Sequence, residues 1–288
     1  MHRAMNICRF TREDRSIRIG QVLEDTVLDL TPAGITTLQA VLEAPDPVAF
    51  LQQAALGTLP RFALATVALC TPVERQEVWA AGVTYLRSKS ARMAESEFSA
   101  TAYDRVYAAA RPELFFKARA EKVAAPEEPV GIRRDARWSV PEPELALVLN
   151  SRGQVVGCTI GNDMSSRDIE GENLLYLPQA KVYDRSCALG PWITLGATET
   201  EARAWSISLA IFREGRQVFK GETSVGQLKR SFAELAGYLC RSQSFPTGAV
   251  LLTGTGVVPP DSFSLRAGDI TDITISGIGR LRNTVIVV

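Results

Sequence analysis

The alternation of apolar and polar positions predicts a small α+β unit at the start of the chain. Short strand candidates come first, and two stretches with helical apolar spacing follow them. The predicted strands are Asn6–Phe10, Ile17–Gly20 and Gln21–Asp29, and the predicted helices are Thr36–Glu43 and Pro47–Ala55. Asp46 precedes the second helix and is a typical N-cap residue. Thr71–Gln76 is typical of a connector, so residues 1–75 are expected to form a small N-terminal α+β domain.

Residues 76–288 have the pattern of a β-rich domain with few helices. Most apolar runs are short, and turns that contain glycine separate them. The late strands are predicted at Ser206–Arg213, Gln217–Lys220, Ala249–Thr253, Ile270–Ser276 and Leu281–Val288. Helices are predicted at Tyr85–Phe98, Ser165–Asn173 and Val225–Leu239. Many short strands with glycine turns favour a curled or barrel-like mixed sheet. The expected fold class is therefore α+β, rich in β-structure.

A hairpin is predicted near the middle of the chain. Leu145–Leu149 is an apolar strand, Asn150–Gly153 has turn residues, and Gln154–Ile160 returns as the second strand. A two-residue turn at Arg152 and Gly153 would fix the pairing of the two strands along their whole length.

This hairpin is expected to bring three carboxylates together. Glu142 and Glu144 are two positions apart, so they project from the same face of a strand. With the two-residue turn, Asp163 lies opposite Glu142 on that face. Like charges placed opposite one another destabilise a strand pair and raise each other's pKa, and a bound cation would remove the conflict.

The donor atoms restrict which cation fits. Carboxylate oxygens without a neighbouring imidazole or thiolate suit Mg²⁺, Mn²⁺ or Ca²⁺ rather than Zn²⁺. The alternative is a charged edge strand, because Pro141 and Pro143 cannot donate to a strand ladder. The spacing alone leaves both interpretations open.

Composition and charge exclude several classes of function. Acidic and basic residues are equal in number, which argues against a nucleic-acid-binding protein. The five cysteines have no metal-type spacing, which favours a reduced compartment over a disulfide framework. The N-terminus has no apolar stretch typical of a signal peptide, and the longest apolar run, near Phe62–Cys70, is about half a membrane span. A cytoplasmic protein without a membrane partner is therefore expected.

The histidine content narrows the possible chemistry. His2 is the only histidine in the chain, and it lies beside the first methionine, where chain ends are usually mobile. A mechanism that needs a buried imidazole, such as a Ser-His-Asp triad, is therefore not expected. Acid–base catalysis would fall to Glu, Asp, Lys or Tyr side chains.

Seven short motifs occur in an order that resembles one enzyme family. They are Gly82–Tyr85, Pro112–Lys117, Glu142–Glu144, Gly161–Asp168, Lys181 with Gly190–Trp192, Thr253–Gly256, and Gly268–Asp269 with Gly277–Asn283. From about residue 76 to the C-terminus they resemble the fumarylacetoacetate hydrolase superfamily. The resemblance implies a mixed β-roll that carries the active site over residues 76–288, and a homodimer or homotetramer. It also implies Mg²⁺ held by Glu142, Glu144 and Asp163, with Mn²⁺ or Ca²⁺ as possible substitutes.

The resemblance also implies a reaction. Family members bind a 2-keto acid through its carboxylate and keto oxygens on the metal, which stabilises the enolate formed when a C3 proton leaves. Hydrolytic members carry a histidine in the segment that here reads Gly82–Arg92, and Ser88 stands near its position. This variant is similar to the branch that dehydrates 2-keto-3-deoxy-D-arabinonate, which implies a Mg²⁺-dependent hydro-lyase with 2,5-dioxopentanoate as product. A metal-dependent C–C hydrolase of an acylpyruvate or diketo acid and a non-catalytic sugar-acid-binding protein remain as alternatives.

Two residues are expected to be catalytic. In the family register, Lys181 would lie near the chelated keto acid and stabilise the enolate or exchange the C3 proton. Glu113 lies beside the apolar run Leu114–Phe116, where a desolvated carboxyl suits a general acid at the C4 hydroxyl or a base at C3. The alternatives are a surface lysine and a glutamate at the edge of a loop.

Four further residues are expected to contact the substrate. Thr255 in a glycine-rich turn can offer its hydroxyl and backbone N–H groups to the substrate carboxylate, or it can be a plain turn residue. Arg87 and Ser88 can bind sugar hydroxyls or lie on a solvated helix face. Thr84 belongs to the same motif as these two. Lys117 is expected to support the site without taking part in the chemistry.

Overall fold

The computed structural model describes residues 4–86 and 106–288. The strands are β1 Met5–Thr11, β2 Arg18–Leu23, β3 Thr26–Asp29, β4 Arg61–Ala63, β5 Ala68–Cys70, β6 Glu77–Gly82, β7 Glu113–Ala118, β8 Val123–Ala124, β9 Val130–Ile132, β10 Ser139–Val140, β11 Pro143–Leu149, β12 Val155–Asp163, β13 Ser165–Ser166, β14 Cys187–Leu195, β15 Ser206–Arg213, β16 Arg216–Ser224, β17 Ala249–Thr255, β18 Ile270–Ile275 and β19 Gly279–Val287. The helices are α1 Leu38–Leu42, α2 Pro47–Ala54, α3 Arg167–Glu172, α4 Leu177–Lys181, α5 Glu199–Arg203 and α6 Phe232–Leu239.

One large mixed sheet contains strands from both sides of the predicted domain boundary at residue 75. Its strand order is β4-β3-β2-β1-β14-β12-β11-β17-β6-β7, with β5 joined to β1 and β8 joined to β14. The N-terminal strands enter this sheet because β1 pairs antiparallel with β14, from Met5 opposite Leu195 to Ile7 opposite Ile193. A second sheet has the order β16-β15-β18-β19-β9. The division at residue 75 stays a prediction, and the fold class of a β-rich α+β protein is confirmed.

Apolar side chains are buried on both faces of the large sheet. Along β11 every residue is buried, and alternate residues belong to different cores. Leu145, Leu147 and Leu149 belong to the core that contains the apolar residues of β15 in the second sheet. Ala146 and Val148 belong to the core that contains the apolar residues of α1 and α2. β11 is therefore a central strand. The alternative of a charged edge strand, based on Pro141 and Pro143, is wrong.

The hairpin β11–β12 differs from its prediction in the loop but not at the far end. The loop has three residues, because Asn150 pairs with Gln154 and accepts the N–H of Gly153, whose φ is +72°. This loop alone would shift the pairing by one residue. A bulge corrects the shift, since Leu149 pairs with Val155 but Val148 pairs with Gly157. The register at the other end is therefore the predicted one.

One predicted helix is shorter in the structure, and another lies mostly outside the described residues. The helix predicted from Val225 begins only at Phe232, because the Ser231 side chain caps it by accepting the N–H of Glu234. Most of the helix predicted at Tyr85–Phe98 lies outside the described residues. Among the residues that the structure describes, no helix is long and apolar enough to span a membrane.

Candidate active site with a carboxylate cluster

Three buried carboxylates converge at one end of the large sheet. Glu142 immediately precedes β11, Glu144 lies within it, and Asp163 ends β12. The Asp163 N–H donates to the Glu142 carbonyl at 2.9 Å, which places the two residues opposite each other. Oxygen atoms of all three side chains lie within 4.8 Å of one another. The corrected register thus brings the three predicted metal ligands onto one face, although their role as ligands stays a prediction.

Lys181 occupies the centre of this cluster. Its side chain is fully buried at the end of α4. Its Nζ atom lies 2.7 Å from a Glu142 carboxylate oxygen, 3.1 Å from an Asp163 carboxylate oxygen and 2.5 Å from the Ser165 hydroxyl. An ammonium group at hydrogen-bond distance from two carboxylates balances part of their charge.

Two further buried cations lie against these carboxylates. The Lys117 Nζ lies 2.5 Å from Asp163 and donates to the carbonyl of Met164 at 3.0 Å. The Arg167 guanidinium lies 2.8 Å from Glu142. The sequence predicts only that Lys117 supports the site, not which carboxylate it contacts. Its place was signalled by strand alternation, since it lies two and four positions from Phe115 and Glu113 on β7.

Glu144 has the least favourable surroundings of the three carboxylates. It is fully buried, and its carboxylate accepts the N–H of Gly254 at 2.5 Å. Burial first, and then the negative charges of Asp163 and Glu142, raise the pKa of Glu144 well above its usual value. A hard divalent cation removes this conflict, because three carboxylates supply the oxygen ligands that Mg²⁺ or Mn²⁺ prefers. The donor set therefore fits such an ion.

The wall of the site is formed where two parallel strands end. β6 and β17 run parallel, with Ala80 opposite Leu252. The Thr84 hydroxyl donates to the Thr253 carbonyl at 2.6 Å and so ties the two strand ends together. Gly254 has a φ of +93°, and a Cβ atom there would lie 2.0 Å from the Thr84 hydroxyl. The Thr84 side chain is thus engaged in the wall, and its contact with substrate stays a prediction.

Of the other predicted site residues, Glu113 and Thr255 lie at the pocket wall, and Arg87 and Ser88 are not among the described residues. Glu113 lies opposite Gly82, and a Cβ on Gly82 would be 2.0 Å from a Glu113 carboxylate oxygen. Gly82 and Thr255 line the narrow pocket that also contains the three carboxylates. Glu113 therefore lies against the wall of this pocket. Arg87 and Ser88 lie outside the described residues.

The raised pKa of Glu144 predicts how stability depends on pH without metal. The folded state holds the Glu144 proton more tightly than the unfolded state, whose carboxyl has the usual value of about 4.5. This contribution is complete below pH 4.5 and is lost as the pH rises through the folded-state pKa. In the presence of a chelator, the free energy of unfolding of Glu144→Gln relative to the wild type should therefore increase with pH, as measured by urea unfolding. A difference that is constant with pH would contradict the raised pKa.

Comparisons with known proteins agree with this geometry. Residues 77–286 match the family described as fumarylacetoacetate (FAA) hydrolase C-terminal. The probable 2-keto-3-deoxyxylonate dehydratase of Haloferax volcanii is 48% identical over 214 residues, which are 74% of this chain and 73% of that protein. The 2-dehydro-3-deoxy-D-arabinonate dehydratase of Saccharolobus solfataricus is 39% identical over 226 residues, 77% of this chain and 76% of that protein.

A solved structure extends the similarity to nearly the whole chain. It is that of a 2-keto-3-deoxy-D-arabinonate dehydratase complexed with magnesium and 2,5-dioxopentanoate. The similarity covers 99% of both chains with a TM-score of 0.84 and 32% sequence identity.

Proposed function

The chain belongs to the fumarylacetoacetate hydrolase family, and from this premise we propose that it is a Mg²⁺-dependent hydro-lyase. Its substrate is a 2-keto-3-deoxy pentonate, and its product is 2,5-dioxopentanoate. The support comes from two dehydratases that are 39% and 48% identical, and from the similar structure that holds magnesium and this product.

The charge balance of the buried cluster is the observation that carries the proposal. Four buried carboxylates, those of Glu142, Glu144, Asp163 and Glu170, face three cations, namely Lys117, Lys181 and Arg167. A divalent ion held by Glu142, Glu144 and Asp163 would turn this excess of negative charge into an excess of positive charge. A 2-keto acid brings one negative charge on its carboxylate and develops a second on its keto oxygen when a C3 proton leaves. The positive charge would therefore favour binding of the anionic acid and the development of negative charge on its keto oxygen.

The reaction divides between two ends of the pocket. When bound, Mg²⁺ polarises the keto group of the substrate and lowers the cost of removing a C3 proton. Lys181 lies among the carboxylates, so we assign it the transfer of the proton at C3. Glu113 lies beside Gly82 on the pocket wall, so we assign it the delivery of a proton to the departing C4 hydroxyl.

The product requires two more proton transfers after water leaves. Loss of the C3 proton and the C4 hydroxyl gives a double bond between C3 and C4. Moving a proton from C5 to C3 then gives an enol at C4 and C5. Loss of the enol hydroxyl proton and protonation of C4 give the C5 aldehyde of 2,5-dioxopentanoate. Glu113 at the C4 end and Lys181 at the C3 end are the groups that we assign to these transfers.

The division of roles predicts the behaviour of a Glu113→Gln variant. It should dehydrate the pentonate about a hundredfold more slowly, because general acid catalysis at C4 is lost. It should still exchange the C3 protons of 2-oxopentanoate, which has no C4 hydroxyl, for deuterium. Proton NMR in D₂O with Mg²⁺ measures this exchange. Glu121→Gln, a change at an exposed glutamate paired with Arg119, is the control and should retain both activities.

Each result of this assay decides between named alternatives. Loss of exchange and dehydration together would place Glu113 at C3 instead of C4. Release of pyruvate from acylpyruvates, without dehydration of any pentonate by the wild type, would identify a C–C hydrolase. Tight keto-acid binding with neither reaction would identify a binding protein.

The assembly and location of the protein are also proposals. Family membership supports a homodimer or homotetramer, which light scattering after size-exclusion chromatography would distinguish from a monomer. A small 2-keto acid is the proposed partner, and the absence of a basic excess in the sequence supports a protein that does not bind nucleic acid. A cytoplasmic location is supported by the scattered free cysteines.

A further inference from the structure

One residue of the pocket wall has an unfavourable backbone conformation. Val83 has a φ of +53°, in the left-handed region. A β-branched residue there is an outlier, because its side chain crowds the backbone. Five other non-glycine residues in the described ranges have positive φ, namely Arg15, Glu24, Glu127, Arg185 and Glu214. None of those five is buried or β-branched, whereas Val83 is 3% exposed.

The neighbours of Val83 hold it in this conformation. Gly82 before it is the last residue of β6 and is paired with β7. Thr84 after it is fixed at two atoms, since its hydroxyl donates to the Thr253 carbonyl at 2.6 Å and its carbonyl accepts the N–H of Lys229 at 3.0 Å. Strained conformations persist where the surroundings over-determine them, and they concentrate at functional sites.

Val83 lies where the distal end of the substrate is expected. It lines the pocket together with the three carboxylates and Phe115. Phe115 lies on the side of Lys181, with its ring centre 5.8 Å from the Lys181 Nζ, which is the C3 end in the proposed mechanism. Glu113, the proposed acid at C4, lies over Gly82. The next residue along the wall after Gly82 is Val83, which also lines the pocket, so we place the substrate carbon beyond C4 beside Val83.

We propose that Val83 determines substrate chain length by closing the pocket beyond C5. The inference rests on the proposed function, because it uses the assignment of Glu113 to C4. In this proposal the isopropyl group occupies the space that a further hydroxymethylene unit would need, so a six-carbon 2-keto-3-deoxy acid should react poorly. Among the apolar side chains that line the pocket within residues 4–86 and 106–288, Ala81 is too short for this role, and Phe115 lies near Lys181, at the proposed C3 end.

The test compares two substrates in four proteins. The ratio of kcat/KM for a 2-keto-3-deoxy hexonate to that for the pentonate is measured with Mg²⁺ in the wild type, Val83→Ala, Val83→Gly and Val78→Ala. Both changes at Val83 should raise the ratio about tenfold, because removing methyl groups from a pocket changes discrimination by roughly that factor. Val78→Ala removes the same atoms from a buried position near the start of β6, the strand that ends just before Val83, and should leave the ratio unchanged.

A second readout tests the backbone conformation. Glycine tolerates positive φ and alanine does not, so Val83→Gly should unfold at a higher temperature than Val83→Ala, the reverse of the usual order in a strand. This property also makes Val83→Gly the variant to use if Val83→Ala does not fold. An unchanged substrate ratio in a folded Val83 variant of an enzyme that dehydrates the pentonate would overturn the inference. A wild type that does not dehydrate the pentonate would overturn the proposed function, not the inference alone.

Discussion

Replacing Glu144 by glutamine is expected to lower kcat/KM at least about a thousandfold while making the metal-free protein more stable. Changes at residues that only support metal ligands cost roughly 10–100-fold, and loss of a ligand should cost more. In the metal-free protein the carboxylate is buried beside Asp163 and Glu142, and these surroundings raise its pKa. A neutral amide of the same shape removes that repulsion and can still accept the N–H of Gly254. We expect a gain on the order of 1 kcal/mol, or a few degrees in unfolding temperature.

The measurements are Mn²⁺ binding by electron paramagnetic resonance, calorimetric unfolding with and without chelator, and pentonate turnover. The wild type should gain stability from added Mg²⁺ because only the folded state offers the three carboxylates, and Glu144→Gln should not. Glu201→Gln, at the exposed start of α5, is the matched control and should bind Mn²⁺ like the wild type. Retained Mn²⁺ affinity in Glu144→Gln would remove Glu144 from the ligand set.

Replacing Lys181 by methionine is expected to lower kcat about a thousandfold and to leave Mn²⁺ binding equal or tighter. The loss follows from removal of the group assigned to proton transfer at C3. The gain in binding follows from charge, because the Lys181 ammonium lies 2.7 Å from Glu142 and 3.1 Å from Asp163 and so competes with a cation for both carboxylates. Methionine has similar length and fills the buried space without a charge.

The readouts for Lys181→Met are Mn²⁺ affinity, C3 deuterium exchange with 2-oxopentanoate, and dehydration. Exchange and dehydration should fall together, whereas Glu113→Gln should separate them. Lys220→Met changes an exposed lysine of β16 and controls for loss of charge as such. Normal exchange in Lys181→Met would show that another group moves the C3 proton. Loss of Mn²⁺ binding would show that Lys181 holds the carboxylates in place.

The carboxylate cluster could be predicted from the sequence because its geometry is local. Glu142 and Glu144 share a face through strand alternation, and a hairpin brings Asp163 opposite them. The prediction of the register was right at this end although the turn was predicted with one residue too few. The extra loop residue was offset by the bulge near Val155, and sequence patterns do not reveal where such a bulge lies.

The partners of the carboxylates could not be predicted because they depend on distant contacts. Lys117 meets Asp163 only after β7 has joined the sheet beside β6. The left-handed conformation of Val83 was equally hidden, since valine is among the residues least suited to it. In both cases tertiary structure overrides the local preference of the chain. The residues that sequence reasoning misses here are those that the surrounding fold forces into place.

The position of β17 between β11 and β6 has a consequence for how the chain is made. β6 and β7 are paired with each other, and among the strands of the described residues only β17 joins β6 to the rest of the large sheet. β17 begins at Ala249, and it also supplies the Gly254 N–H that Glu144 accepts. During synthesis, the hairpin with the three carboxylates has therefore left the ribosome long before the strand that completes its surroundings. The pocket is completed only after β17 has emerged and joined β11.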